Sequence, residues 1–145
     1  MASSDTIRVL VFQVGDLTCG VPAEFAREVL PTAAATRIPG AHSVVDGLAN
    51  VRGSILTMID GHRLLDRAPL REQEGVTIVL DLAGRVYGLR VGQVHDLYEV
   101  REEDLEPGED LAGVDPALVR AVGRVDRQHF VLLDIESLLQ SIVGT

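Results

Sequence analysis

The chain repeats itself faintly and twice, and that repeat decides the architecture before any local reading does. At a constant offset of 68 residues, Val11, Phe12 and Val14 fall on Val79, Leu80 and Leu82, and Gly20 falls on Gly88. Val21, Ala26 and Val29 likewise fall on Leu89, Val94 and Leu97. A second pair of segments stands at an offset of 74, setting Leu48, Val51, Leu56, Met58, Ile59 and Asp60 on Val122, Val125, Phe130, Leu132, Leu133 and Asp134. The match continues with Leu64 and Leu65 on Leu138 and Leu139. One small β unit is built twice. Two similar units make a seam, and function is sought at the seam and where the copies differ.

Period-two and nearly continuous apolar runs predict strands over 7–14, 17–21, 27–30, 44–51 and 54–59 in the first copy. The second copy repeats them over 76–82, 85–91, 93–100, 119–125 and 130–133. Gly15-Asp16, Arg52-Gly53 and Ala83-Gly84 mark hairpin turns, where glycine supplies a positive φ. Pro22 suits the first turn of a short helix over 23–26. Asp60 is placed to cap a short turn through Leu65, and Asp134 to cap a C-terminal helix on which Ile135, Leu138, Leu139 and Ile142 form one apolar stripe. Residues 1–5 read as a frayed terminus and 31–43 as a surface loop. Residues 66–75 read as the linker between copies, and 101–116, with seven acids, as a solvated acidic loop.

At 145 residues the chain is long enough for one domain that needs no disulfide or metal to fold. Subdomains are expected at about 7–66 and about 75–139 within it. No signal peptide is recognised and the single cysteine, Cys19, has no partner in the chain, so a reducing cytoplasm is expected. No apolar run reaches the roughly 20 residues of a membrane span, so no membrane insertion is expected. The net charge of −9 opposes a nucleic-acid partner. All 13 basic residues are arginine, which excludes a Schiff-base or phosphate-loop lysine.

No constellation assembles a catalytic site. The four histidines, His42, His62, His95 and His129, are scattered without metal-ligand spacing, so neither a metal nor a cofactor is expected. Cys19 lies mid-strand and reads as a small buried hydrophobe. Gly84 and Gly88 lie in a hairpin and do not open a helix, which a dinucleotide fingerprint requires. What remains is Asn50-Val51-Arg52-Gly53, where the other copy has Arg124-Val125-Asp126-Arg127. Arg52 is either a solvated surface group or a planar, directional donor to a partner or across the seam.

Arg37-Ile38-Pro39-Gly40-Ala41, the run Asp46 to Ile55 containing Asn50-Val51-Arg52-Gly53, then Asp60, Gly123 to Asp126, and Leu132 to Glu136 resemble the CheW-like domain of bacterial chemosensory coupling proteins. The likeness covers about 7–139. It implies a mainly β fold of two five-stranded SH3-like β-barrels with short helices and a C-terminal helix. It also implies an adaptor that joins the cytoplasmic tip of methyl-accepting chemoreceptors to the regulatory domain of a CheA-type histidine kinase. The receptor's helical hairpin is then expected in the groove between barrels. Its apolar walls would be Val29, Ile38 and Val51 from one barrel and Val94 and Leu97 from the other, with Asn50, Arg52 and Gly53 as the polar turn. Those apolar residues would serve equally well as core.

The chain departs from the family pattern at Thr57 or Met58, where a proline is common, at Gly61, where a leucine is common, and at His42, where a second proline is usual. A divergent coupler that binds receptor without kinase therefore stands beside the full coupler. An enzyme hidden in a barrel cleft and a self-assembling structural subunit are the readings from other classes.

Overall fold

The computed structural model describes residues 5–71, 73–108 and 113–143. The expected frayed terminus, apart from Asp5, and the middle of the acidic loop, 109–112, lie outside the described residues. Ten strands form in chain order: β1 (Thr6–Val14), β2 (Leu17–Pro22), β3 (Ala26–Pro31), β4 (Val45–Val51), β5 (Ser54–Asp60), β6 (Val76–Leu82), β7 (Arg85–Val91), β8 (Gln93–Arg101), β9 (Val119–Val125) and β10 (Gln128–Leu133). A helix comes after the second hairpin of each copy, α1 (Gly61–Leu64) in the first and α2 (Ile135–Val143) in the second. The short helix expected after Pro22 is a single 3₁₀ turn, Ala23–Phe25.

The strands pair as two five-stranded sheets, ordered β8-β1-β2-β10-β9 and β3-β6-β7-β5-β4. Exchange the copies and one order becomes the other. Neither sheet is made from one half of the chain, so the expected subdomains, about 7–66 and about 75–139, do not delimit the units of the fold. Each copy keeps its first hairpin in one sheet and sends its third strand and second hairpin to the other. The cause is local: the 3₁₀ turn contacts both β1 and β6 and carries the chain across. In the second copy a single residue, Gly92, separates β7 from β8 and donates its N–H to Gln13 O on β1 at 2.9 Å.

The sheets pair as open five-stranded arrays whose outer edges curl toward each other, a geometry compatible with the SH3-like description. In the second sheet the opposite edges β3 and β4 meet through an ion pair between Glu28 and Arg52. In the first, β8 approaches β9, and the residue pair Glu106 and Val122 bridges just beyond it. Phe130, Leu132, Val9 and Val11 fill the first sheet and Leu56, Met58, Ala49 and Val79 the second. A larger core between them holds Phe12, Ile59, Leu80 and Leu89, with Leu138 and Leu139 of α2 laid on it. Burying aliphatic and aromatic side chains at roughly 25 cal/mol per Å² drives both the curling and the docking.

The linker is tied down. Arg67 lies across Gly15 and donates to Asp16 Oδ1 at 2.7 Å, Leu65 O at 2.9 Å and Gly113 O at 3.2 Å. Arg90, buried on β7, grips the carbonyls of Glu74 and Arg71. The acidic loop is not wholly solvated either, since Val114 is buried in the intersheet core.

Candidate functional site

The β4–β5 turn is the most constructed piece of surface. Arg52 at φ 51° and Gly53 at φ 84° are both left-handed, the twist that matches a two-residue hairpin. Asn50 Oδ1 accepts from the Gly53 N–H at 3.0 Å and closes the turn. A non-glycine residue held there costs about 1 kcal/mol or more, and the fold retains it at Arg52. Its guanidinium reaches β3: Nη1 lies 2.7 Å from Glu28 Oε1 and donates to Oε2 at 3.0 Å. With the Arg52 side chain 70% exposed, the pair is worth at most about 1 kcal/mol in stability. Its consequence is positional. One nitrogen is spent on Glu28, and Nε and Nη2 have no partner among the described residues, so both remain donors at the surface.

Around this pair lies a shallow cavity of about 220 Å³ lined by Arg27, Glu28, Val51, Arg52, Ser54 and Val86, among others. Val51 packs inward on Ala49, Leu56 and Met58. Val29, next to Glu28 on β3, is 43% exposed, and Leu97, its copy on β8, is 44% exposed. Both lie on edge strands, in register with Ile78 and Leu10 respectively. Ile38, 37% exposed, stands on the loop that bridges to β4 through Thr36 and Leu48.

Val94 is half-buried against the intersheet core and lines a second cavity, at the β8–β9 seam. The sequence-derived residues are thus distributed between two equivalent seams, with Val51, Arg52 and Gly53 at one and Val94 at the other. Two exposed apolar residues on the outer face of the β4–β5 hairpin are absent from the sequence-derived set: Ile55, 60% exposed and paired with Asn50, and Leu48, 37% exposed. The alternation that buries Ala49, Leu56 and Met58 places both outward, a signal the sequence itself carries.

The chemically versatile groups Cys19 and His62 are structural in setting. Cys19 is fully buried, and burial pushes its thiol up to about 12, away from a reactive thiolate. His62 is buried with Nε2 accepting from the Gly15 N–H at 3.2 Å. Asp60 caps α1 by accepting from the N–H groups of His62 at 2.9 Å and Arg63 at 3.3 Å. Asp134 accepts from Ser137 N–H at 3.1 Å at the start of α2. No helix among the described residues is long and apolar enough to cross a membrane.

A family model described as CheW-like domain matches residues 8–143. The chain is 30% identical over 135 residues to the chemotaxis protein CheW of Rhizobium meliloti, spanning 92% of this chain and 87% of that protein. It is 27% identical over 134 residues to the chemotaxis protein CheW of Klebsiella aerogenes, spanning 91% and 81%. Protein FrzA of Myxococcus xanthus is 30% identical over 135 residues, spanning 90% and 83%. Among solved structures, the scaffolding protein TtCheW from Thermoanaerobacter tengcongensis superposes with a TM-score of 0.85 at 22% identity, covering 97% of each chain, a likeness of fold.

Proposed function

The chain belongs to the CheW-like domain family, and we propose that it is the coupling adaptor of a chemosensory pathway. It joins the cytoplasmic tip of a methyl-accepting chemoreceptor to the regulatory domain of a CheA-type histidine kinase, in the cytoplasm at receptor clusters. The observation that carries this reading is the Asn50-to-Gly53 turn. It holds Arg52 on Glu28 with two donor nitrogens left over, beside the exposed Val29, in a member of this family. Apolar walls with a few fixed polar groups suit a helix laid in a groove. Val29, Ile38, Val51, Val94 and Leu97 are the apolar contacts of that reading, and Asn50, Arg52 and Gly53 its polar turn.

Titration calorimetry against a purified receptor tip and kinase regulatory domain tests the proposal. Binding to both is expected, with Arg52→Ala weakening the receptor contact by about tenfold, or ~1.4 kcal/mol. Normal receptor association after Arg52→Ala and Val94→Ser together would overturn the site. A receptor-only adaptor is the second reading, favoured by one observation. Where the family commonly has leucine, Gly61 lies so close to β7 that a Cβ would sit 2.6 Å from the Arg90 carbonyl oxygen. A side chain at that position would require the backbone after β5 to move away from β7, and loss of kinase binding alone would identify that case.

A further inference from the structure

Arg90 carries a buried charge without a carboxylate beside it. It stands on β7 in register with Asp60 of β5 and Thr77 of β6, is 9% exposed, and forms no ion pair among the described residues. Its Nε and Nη2 donate to the carbonyls of Arg71 and Glu74 and hold the linker. Nη1 has no partner among the described residues. Burying a guanidinium without a counter-ion is costly, and main-chain carbonyls offset only part of that cost.

That guanidinium lines a cavity of about 470 Å³ together with Ala33, Ala34, Ala35, Asp46 and Gln73, among others. One wall is fixed in place. Thr36 exchanges main-chain hydrogen bonds of 2.7 and 2.9 Å with Leu48 on β4, and Ala33 and Ala35 pack on the core of the second sheet. The cavity's carboxylate is Asp46, which accepts no hydrogen bond among the described residues. Its ion pair with Arg63 Nη1 is long at 3.8 Å, and that nitrogen donates to Ser43 O at 3.2 Å. Burial, then the charge of Asp60, pushes Asp46 up against the opposing charges of Arg63 and Arg90, the behaviour of a carboxylate short of donors.

One cavity thus holds a cation with a donor to spare and a carboxylate that accepts no hydrogen bond, and the fold keeps the two from pairing with each other. A simple anion would be opposed there by Asp46 and a simple cation by Arg90, whereas a molecule carrying both charges satisfies each. We infer that the cavity is a binding site for a short aminocarboxylate zwitterion, its carboxylate on Arg90 and its ammonium on Asp46. The short side chains of the 33–35 wall leave room for the carbon frame between the charges. The inference rests on the fold alone and stands apart from the coupling reading.

Nitrogen-15 correlation spectra of the full chain, titrated with glycine, β-alanine and γ-aminobutyrate, test it, with propionate and propylammonium as the separate halves of the ligand. At least one zwitterion is expected to shift the amides of Ala33, Ala35 and Asp46 and the Nε–H of Arg90 saturably. Each half should bind about tenfold or more weakly at matched ionic strength, since it meets one unfavourable charge. Asp46→Asn keeps the shape and removes the charge, so it should weaken the zwitterion about tenfold and leave propionate no weaker. Arg63→Gln, which removes the cation competing for Asp46, should tighten the zwitterion. No saturable shift at the cavity from any of the three zwitterions would overturn the inference. So would a half that binds as tightly as they do, which means a site for a single charge, or full zwitterion affinity in Asp46→Asn. Unchanged dispersion elsewhere in the spectra verifies that both variants fold.

Discussion

His62 joins the two sheets through a single nitrogen. Its ring is 2% exposed, Nε2 accepts from Gly15 at the β1–β2 turn, and Nδ1 has no partner among the described residues. Burial holds its pKa below the ordinary 6.5, Asp60 opposes that shift, and Arg90 adds to it. A histidine depressed in the folded state binds protons more readily when unfolded, so acid favours unfolding. Its neutral form imposes no penalty above pH 6.5, and stability falls as pH drops through that value toward the folded pKa. Asp46 acts with the opposite sign, because burial first, then Asp60, raise it against Arg63 and Arg90. Its share of stability is present in acid and lost as pH rises through its folded pKa. Urea melts at neutral and mildly acid pH should show wild type losing more on acidification than His62→Gln, a side chain that can accept from Gly15 without titrating. Equal losses would remove His62 as the cause.

At the scale of elements, strand limits and turns were legible because each turn carries its own chemistry. Gly15, Gly53 and Gly84 all have positive φ, and Asn50 and Asp81 close their turns by accepting from Gly53 and Gly84. The partner of Arg52 was not legible, because Glu28 lies on the opposite edge strand and meets it only when the sheet curls. The repeated glycines Gly20 and Gly88 were visible as a pair, and the structure supplies their reason. A Cβ on Gly20 would lie 2.6 Å from Val9 Cγ1 and 3.1 Å from Phe130 Cδ2, both in rigid buried side chains. On Gly88 its shortest contact, 2.5 Å, would be with Met58 Sδ, in an unbranched side chain able to move, with Thr77 Cγ2 at 3.0 Å. Overpacking of this kind costs about 1–3 kcal/mol. Gly20→Ala should therefore fall near the upper end and Gly88→Ala near the lower end in denaturant unfolding. The reverse order would mean that strand backbone, not side-chain space, sets the cost.

For the whole molecule, the repeat announced two units and concealed how they are joined. Closed halves and exchanged halves bury the same residues on the same strand faces, so periodicity cannot distinguish them; only the crossings at Ala23–Phe25 and at Gly92 do. The exchange makes each copy structurally incomplete. The first contributes β1 and β2 to one sheet and β3, β4 and β5 to the other, and the parallel pairings β2 with β10 and β5 with β7 exist only between copies. Split between Ala68 and Pro69, the chain should give two fragments that are each unfolded, since neither can complete a sheet or close the intersheet core. Mixed, they should regain the native circular dichroism and amide dispersion with a concentration-dependent midpoint, because folding has become association. A native-like spectrum from either fragment alone would mean that a copy can close on itself, and that the exchanged arrangement is one of two available to this sequence.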